Sequence, residues 1–444
     1  MSRSASMPDG VPMDRRLVRF ERDARGGADT ARAWKALTRS GVPLIGPTAP
    51  PSHDRLVTFL WRPTRPIGAA SLYSPIAEFS REGTALAPLG DTGVWYRTYR
   101  LPATARASYG FAPRPLPSLT DPGRAWGEFV RSLGPDPLNP RRVKAGPRLF
   151  LSEFELPDAT AEPWLRSRGG LGWREERRRL RSRKLGNARA IWVELPPRFD
   201  PRRSDYNLLV VFDGPAYQDP IPTRRIVTNL VAAGRIDPTV VVLLDNAPDA
   251  RERDLGGRAE FAEFLADELL PWLARRYGVR SESRRTVLAG SSMGGLAAAH
   301  AALEHPERFG AVLAQSGAFL AMTDAAGGSL MDRYAERERL NVRFWLNAGT
   351  HETIVPPGGS MSLLDGVRRM RDVLRAKEYP VSYTEFEGGH DYAWWRATLA
   401  DGLIYLLGRA RGPRRHRSNR NGRASGPGRG RRRTKPSHPR RRTS

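Results

Sequence analysis

The sequence predicts an α/β domain on a mostly parallel sheet, preceded by a small β-sandwich, and three observations carry that reading. Beyond residue 190, apolar runs of strand length alternate with helical patterns, as in a parallel sheet covered on both faces. Between residues 55 and 111, strand-like runs follow one another with turn residues between them, as in a small sandwich. Gly290-Ser291-Ser292-Met293-Gly294-Gly295 stands between a strand-like run and an alanine-rich helical run, which is G-x-S-x-G in a strand, turn and helix context.

Taken in order, residues 1–45 mix charge, glycine and alanine and read as weakly ordered, with one short helix around residues 31–38. Residues 46–140 form the sandwich, with strands at 56–62, 69–73, 94–99 and 108–111. Pro135-Asp136-Pro137-Leu138-Asn139-Pro140 reads as a rigid linker, because three prolines prevent helix or inner strand. Residues 141–180 continue the linker. The basic run holding Arg177, Arg178, Arg179, Arg181, Arg183 and Lys184 is an exposed interdomain segment on this reading.

Residues 181–408 are the α/β domain. Strands are expected at 191–193, 208–212, 240–244, 286–289, 312–314, 344–348 and 381–386. Helices are expected at 226–233, 261–277, 296–303, 363–377 and 392–407. The second of these places Phe261, Phe264, Leu265, Leu269 and Leu273 on one face.

The net charge of +26 is unevenly spread. Residues 409–444 hold fourteen arginines, one lysine and no acid, and +11 remains on the rest of the chain. That tail is rich in arginine, glycine, serine and proline and cannot build a core. It would contact nucleic acid or an anionic surface non-specifically and with strong salt dependence. It lacks the interleaved aromatics that base stacking needs. The absence of cysteine excludes disulfides and thiolate nucleophiles. No run approaches the roughly 20 apolar residues of a membrane span, and no signal-peptide core follows Arg15-Arg16. A soluble, cytoplasmic chain is the expectation.

The serine of the turn, Ser292, is the candidate nucleophile, with Ser291 as its buried neighbour. A serine hydroxyl needs a base to take its proton, and in this topology acid and histidine follow the serine in that order. His390, in Glu387-Gly388-Gly389-His390-Asp391, follows the last strand, where two glycines read as a mobile loop. Glu352, in the loop after the strand at 344–348, is the candidate acid that orients the imidazole, and Asp365 is the reserve. The oxyanion hole would use the Met293 N–H and a second donor from the loop Phe212-Asp213-Gly214-Pro215-Ala216-Tyr217.

These residues carry a resemblance. The chain resembles the enterochelin esterase family, ferric-siderophore esterases of the α/β-hydrolase fold. The resemblance lies in Phe212-Asp213-Gly214, Leu244-Asp245-Asn246, Glu268-Leu269-Leu270-Pro271-Trp272, the serine turn, Gln315-Ser316-Gly317 and Gly388-Gly389-His390-Asp391-Tyr392 with Trp395-Arg396. Phe59-Leu60-Trp61-Arg62, Val94-Trp95-Tyr96 and Asp136-Pro137-Leu138-Asn139-Pro140 are similar to that family's immunoglobulin-like N-terminal domain and its linker.

The resemblance implies hydrolysis of the esters of a catecholate trilactone siderophore, with iron entering only as part of the substrate and no cofactor or catalytic metal. It supports Ser292 and His390, and Glu352 less directly. Arg251 and Arg253 match the segment that borders the family's substrate pocket, where planar charge suits a flat anionic ligand. Tyr217 and Trp395 are further substrate-binding candidates; Trp61 or Trp95 is a candidate aromatic contact from the sandwich wall, although each is read first as a core residue.

Two departures stand out. Pro215 has no N–H, which leaves Gly214, Ala216 or a side chain as second donor. Gly256-Gly257-Arg258 stands where a cysteine-asparagine pair is expected, which alters the pocket floor. Two other readings stay open: a carboxylesterase of the same fold acting on a feruloyl or carbohydrate ester, and a nucleic-acid-associated protein with an inactive hydrolase fold.

Overall fold

The structure, a computed structural model, describes residues 13–48, 52–77, 81–118, 124–146, 148–166, 172–280, 282–322, 328–355 and 359–408. The basic tail, residues 409–444, lies outside the described residues. The N-terminal half contains β1 (Leu44–Pro47), β2 (Arg55–Trp61), β3 (Ser71–Tyr73), β4 (Ala87–Pro88), β5 (Trp95–Leu101), β6 (Arg106–Ala112), β7 (Arg142–Lys144) and β8 (Phe150–Glu155). They form two antiparallel sheets, ordered β1-β2-β5-β4 and β3-β6-β8-β7. Between the sheets Phe59 meets Tyr109 edge-on at 4.8 Å, and Phe154, Leu72 and Ala107 complete the core.

Three expectations change here. Asp14 caps a helix over Arg15–Arg25 by accepting the Arg16 N–H (2.8 Å), and Thr30–Thr38 forms a second helix. Leu17, Phe20 and Leu37 pack with Leu60 and Tyr96 of the sandwich, so residues 13–45 are not weakly ordered. An arginine-rich helix needs only a narrow apolar stripe to dock.

The expected linker of 135–140 belongs to the sandwich. Tyr109 Oη donates to Asp136 Oδ2 (2.8 Å), and Asn139 Nδ2 donates to the Glu153 carbonyl (2.8 Å), with both side chains buried. Strands β7 and β8 then extend the sandwich into the expected second linker.

The C-terminal half contains β9 (Arg174–Ser182), β10 (Asn187–Leu195), β11 (Asn207–Phe212), β12 (Thr239–Leu244), β13 (Thr286–Ser291), β14 (Ala311–Gln315), β15 (Arg343–Gly349) and β16 (Val381–Phe386). One sheet of order β16-β15-β14-β13-β11-β12-β10-β9 results, parallel from β16 to β12 and antiparallel at β10 and β9. This is an α/β-hydrolase sheet. Strands β11 to β14 are buried throughout, as expected when helices cover both faces.

The basic run forms the edge strand β9, paired residue for residue with β10, with Arg183 and Lys184 in the turn between them. Exposed arginines on an edge oppose pairing with another chain. The helix expected over 261–277 is divided into Ala259–Glu263, a wider π segment over Phe264–Leu269, and Leu270–Tyr277. Pro271 lacks the N–H that would continue a regular ladder there. No helix among the described residues is long and apolar enough to cross a membrane.

Candidate active site

Strand β13 ends at Ser291, and the helix Met293–Glu304 begins immediately after Ser292. Ser292 therefore takes φ 56°, ψ −122°, a strained conformation for a residue with a Cβ. Its N–H donates to the Gln315 carbonyl (2.9 Å) and its own carbonyl accepts from Ala318 (2.9 Å), which fixes the turn between β13 and β14. A Cβ on Gly290 would lie 2.7 Å from the Gly294 carbonyl carbon, so the two glycines of the motif allow strand and helix to meet. Met293 occupies the first helical position, where no intrahelical carbonyl is available to its N–H and the helix dipole is positive.

Strand β16 delivers His390. Its Nδ1 lies 2.9 Å from Glu352 Oε1; the imidazole is 39% exposed and the carboxylate 3%. Glu352 sits in the turn after β15, where its Oε2 accepts the Gly349 N–H (3.1 Å). The reserve acid, Asp365, is engaged elsewhere. It accepts from Ser362 Oγ (2.7 Å) at the start of the helix Leu363–Ala376.

The glycines before the histidine are not a mobile hinge. A Cβ on Gly388 would lie 2.1 Å from Trp394 Nε1, and one on Gly389 would lie 2.1 Å from the Pro75 carbonyl. The loop is wedged between the helix Tyr392–Leu407 and the sandwich, and glycine is required for close approach. The His390 ring meets Trp395 edge-on at 4.7 Å.

Ser292 and His390 open on one cavity of about 790 Å³. Both halves line it: Tyr73, Lys144 and Leu149 from the sandwich, and Asp213, Asn246, Arg251, Tyr392 and Trp395 from the hydrolase half. Burial pushes the Tyr73 hydroxyl up to about 12, so it stays a neutral donor. Asp213, itself at φ 54°, grips Arg251 bidentately, Oδ1 to Nε and Oδ2 to Nη2 at 2.8 Å each, and also accepts from Asn246 Nδ2 (2.6 Å). Those hydrogen bonds hold the Arg251 pKa above its usual value.

Three sequence-predicted site residues stand elsewhere. Arg253, two residues from Arg251 and so on a different helix face, is exposed and bonds Asp254 (2.9 Å) rather than lining the cavity. Tyr217 is fully buried, with its hydroxyl donating to Gln315 Oε1 (2.9 Å), so it supports the turn beneath the serine and does not line the cavity. The Gly214 N–H is committed to the Leu244 carbonyl (2.9 Å), and those of Ala216 and Tyr217 to Asp213 (2.9 Å) and Gly214 (3.1 Å). With Pro215 lacking an N–H, residues 214–217 supply no second oxyanion donor. Trp61 stacks on Phe111 at 5.5 Å and Trp95 packs against the sandwich core, so neither lines the cavity.

Residues 182–406 match the family described as Putative esterase, and residues 56–165 match the family Enterochelin esterase, N-terminal. The chain is 30% identical over 416 residues to the iron(III) enterobactin esterase of Dickeya dadantii, covering 84% of this chain and 92% of that protein. This chain belongs to the enterochelin esterase family. It is also 29% identical over 332 residues to the iron(III) enterobactin esterase of Escherichia coli O6:H1, covering 72% of this chain and 80% of that protein.

Among solved structures, the ferric enterobactin esterase of Salmonella typhimurium superposes with a TM-score of 0.71 at 25% identity, over 84% of this chain and 98% of that one. The enterobactin esterase of Shigella flexneri, crystallised in the presence of enterobactin, gives 0.69 at 26% identity, over 84% and 97%.

As a member of the enterochelin esterase family, the chain departs from expectation at Gly256-Gly257 for a local reason. Gly257 has φ 88°, and a Cβ there would meet Met322 Sδ at 2.5 Å, so the helix Arg251–Leu255 ends where only glycine fits. Neither glycine lines the cavity. Sequence reasoning missed Tyr73, Lys144 and Leu149. They belong to the N-terminal half, and their meeting with the serine turn is visible only in the fold.

Proposed function

We propose that this chain hydrolyses the ester bonds of a ferric catecholate trilactone siderophore and releases iron inside the cell. One observation carries the reading. In a chain whose relatives are named iron(III) enterobactin esterases, the Ser292 turn and the His390–Glu352 pair open on one two-domain cavity.

Ser292 Oγ attacks a lactone carbonyl while His390 Nε2 takes its proton. Glu352 holds the Nδ1–H, which fixes the tautomer and stabilises the imidazolium as it forms. The tetrahedral oxyanion receives the Met293 N–H at the helix N-terminus. Collapse breaks the ester C–O bond, His390 returns the proton to the leaving hydroxyl, and the acyl chain stays on Ser292. A water, deprotonated by His390, adds to that acyl ester and regenerates the serine. Arg251, fixed by Asp213, presents planar charge to the catecholate anion.

The test is hydrolysis of ferric enterobactin, its iron-free form and a p-nitrophenyl ester by the full chain and by Ser292→Ala. The expected result is trilactone cleavage that falls by at least about 10³-fold in the variant. Cleavage of the p-nitrophenyl ester alone would overturn the substrate, and equal activity in Ser292→Ala would overturn the nucleophile.

A further inference from the structure

We propose that Lys144 of the sandwich is the residue by which the enzyme tells the iron-loaded siderophore from its iron-free form; this rests on the siderophore-esterase reading above. Val143, in the edge strand β7, packs with Leu151 and with Phe129 of the helix Arg124–Ser132. The next residue, half-buried Lys144, lines the catalytic cavity beside Leu149 and Leu151. Its position is fixed: Lys144 pairs in register with Phe150, and the Ala145 N–H donates to the Leu149 carbonyl (2.8 Å).

Charge then decides its role. Besides Lys144 and His390, the ionisable Asp, Glu, Lys and Arg side chains of the lining are Asp213, Asp245, Arg251 and Asp391. Asp213 and Arg251 are a bidentate pair. Asp391 accepts the N–H groups of Ser108 (2.5 Å) and Ala393 (3.0 Å), and Asp245, on the hydrolase side, accepts the Asn246 N–H (2.9 Å). Lys144 makes no ion pair among the described residues, and its charge is left for a ligand.

A catechol gives up its protons to bind ferric iron, and the tris-catecholate keeps a surplus of negative charge after the metal is counted. The iron-free catechols hold their protons at neutral pH. A compact ammonium attracts the first form and is nearly indifferent to the second. The same serine machinery then acts preferentially on the iron-loaded trilactone.

The experiment measures kcat/KM for ferric enterobactin and for its iron-free form, with the full-length wild type, Lys144→Gln and Lys144→Arg, at low and high salt. The quantity read is the ferric to iron-free ratio, in which any loss of folded enzyme cancels. Lys144→Gln is expected to lower that ratio about tenfold, mainly through KM, and Lys144→Arg to restore most of it. The gap between wild type and Lys144→Gln should narrow as salt shortens the screening length. An unchanged ratio in Lys144→Gln, or a ratio in Lys144→Arg as low as in the glutamine variant, would overturn the proposal. A wild type inactive on both trilactones would instead overturn the siderophore reading on which it rests.

Discussion

Two acids after β15 are candidates to orient His390, and their hydrogen bonds differ. Glu352 faces the imidazole with one oxygen and is braced by the Gly349 N–H with the other, whereas Asp365 caps a helix through Ser362. Glu352→Gln keeps the size of the side chain but presents an amide to Nδ1. The imidazole is then no longer held in the tautomer that accepts the serine proton, and kcat is expected to fall by about 10³–10⁴-fold with little change in KM. Asp365→Asn removes a carboxylate from a helix cap and should cost about 1 kcal/mol of stability with kcat within a few-fold of wild type. Steady-state kinetics on both variants separates the assignments; the opposite ranking would move the acid to Asp365. Part of this arrangement was legible in sequence, because Ser292, Glu352 and His390 each follow a strand, β13, β15 and β16, of one parallel run. The fates of Gly214 and Tyr217 were not legible. Whether a backbone N–H faces a neighbouring carbonyl or the cavity depends on the turn at Asp213, where a non-glycine residue takes positive φ.

At the scale of elements, the central strands were readable because burial on both faces makes them continuous apolar runs. The helices Arg15–Arg25 and Thr30–Thr38 were hidden because their few apolar anchors are diluted by arginines. Strand β9 was hidden for a related reason: an edge strand exposed to water has no apolar alternation to show. Its partner β10 carries an exposed-looking residue in a buried place. Glu194 is 2% exposed, with Oε2 lacking a hydrogen-bond partner among the described residues and Arg224 no nearer than 3.9 Å. Burial, with Glu175 nearby, raises its pKa to about 7 from the usual 4.5. The folded chain therefore holds a proton that the unfolded chain releases near 4.5, so unfolding releases a proton between those values. Stability contributed at this site falls as pH rises through that window and stays low above it, by about 3 kcal/mol at most. Glu194→Gln removes the ionisation. Its thermal midpoint should exceed wild type at pH 8 by more than at pH 5; an equal gain at both values would remove the buried acid as the cause.

For the whole molecule, the sandwich is a partner in the site rather than an appendage. The wall holding Tyr73 and Lys144 lies far in sequence from the serine turn, so no local pattern could place it. The two halves are joined through the helix Tyr392–Leu407, which begins two residues after His390. Asp391 bonds the Ser108 N–H, Trp394 Nε1 donates to the Arg106 carbonyl (2.9 Å), and Arg396 clamps Glu162 and Glu153 at 2.8 Å each. Arg396 is 13% exposed and its two partners 12% and 10%, so deleting the cation leaves Glu153 without a cation among the described residues and largely out of water, with Glu162 held by Arg106 alone (3.1 Å). Arg396→Ala is expected to cost about 3–5 kcal/mol, read as a fall of several degrees in thermal midpoint. Because the same helix holds the histidine loop against Pro75, kcat should fall with it while KM changes less. Combining Arg396→Met with Glu153→Gln removes the stranded charge while Glu162 keeps Arg106, and should recover part of the stability. If kcat recovers in step, the clamp acts by positioning His390 through packing. If stability returns and kcat does not, the charges themselves set the geometry of the loop.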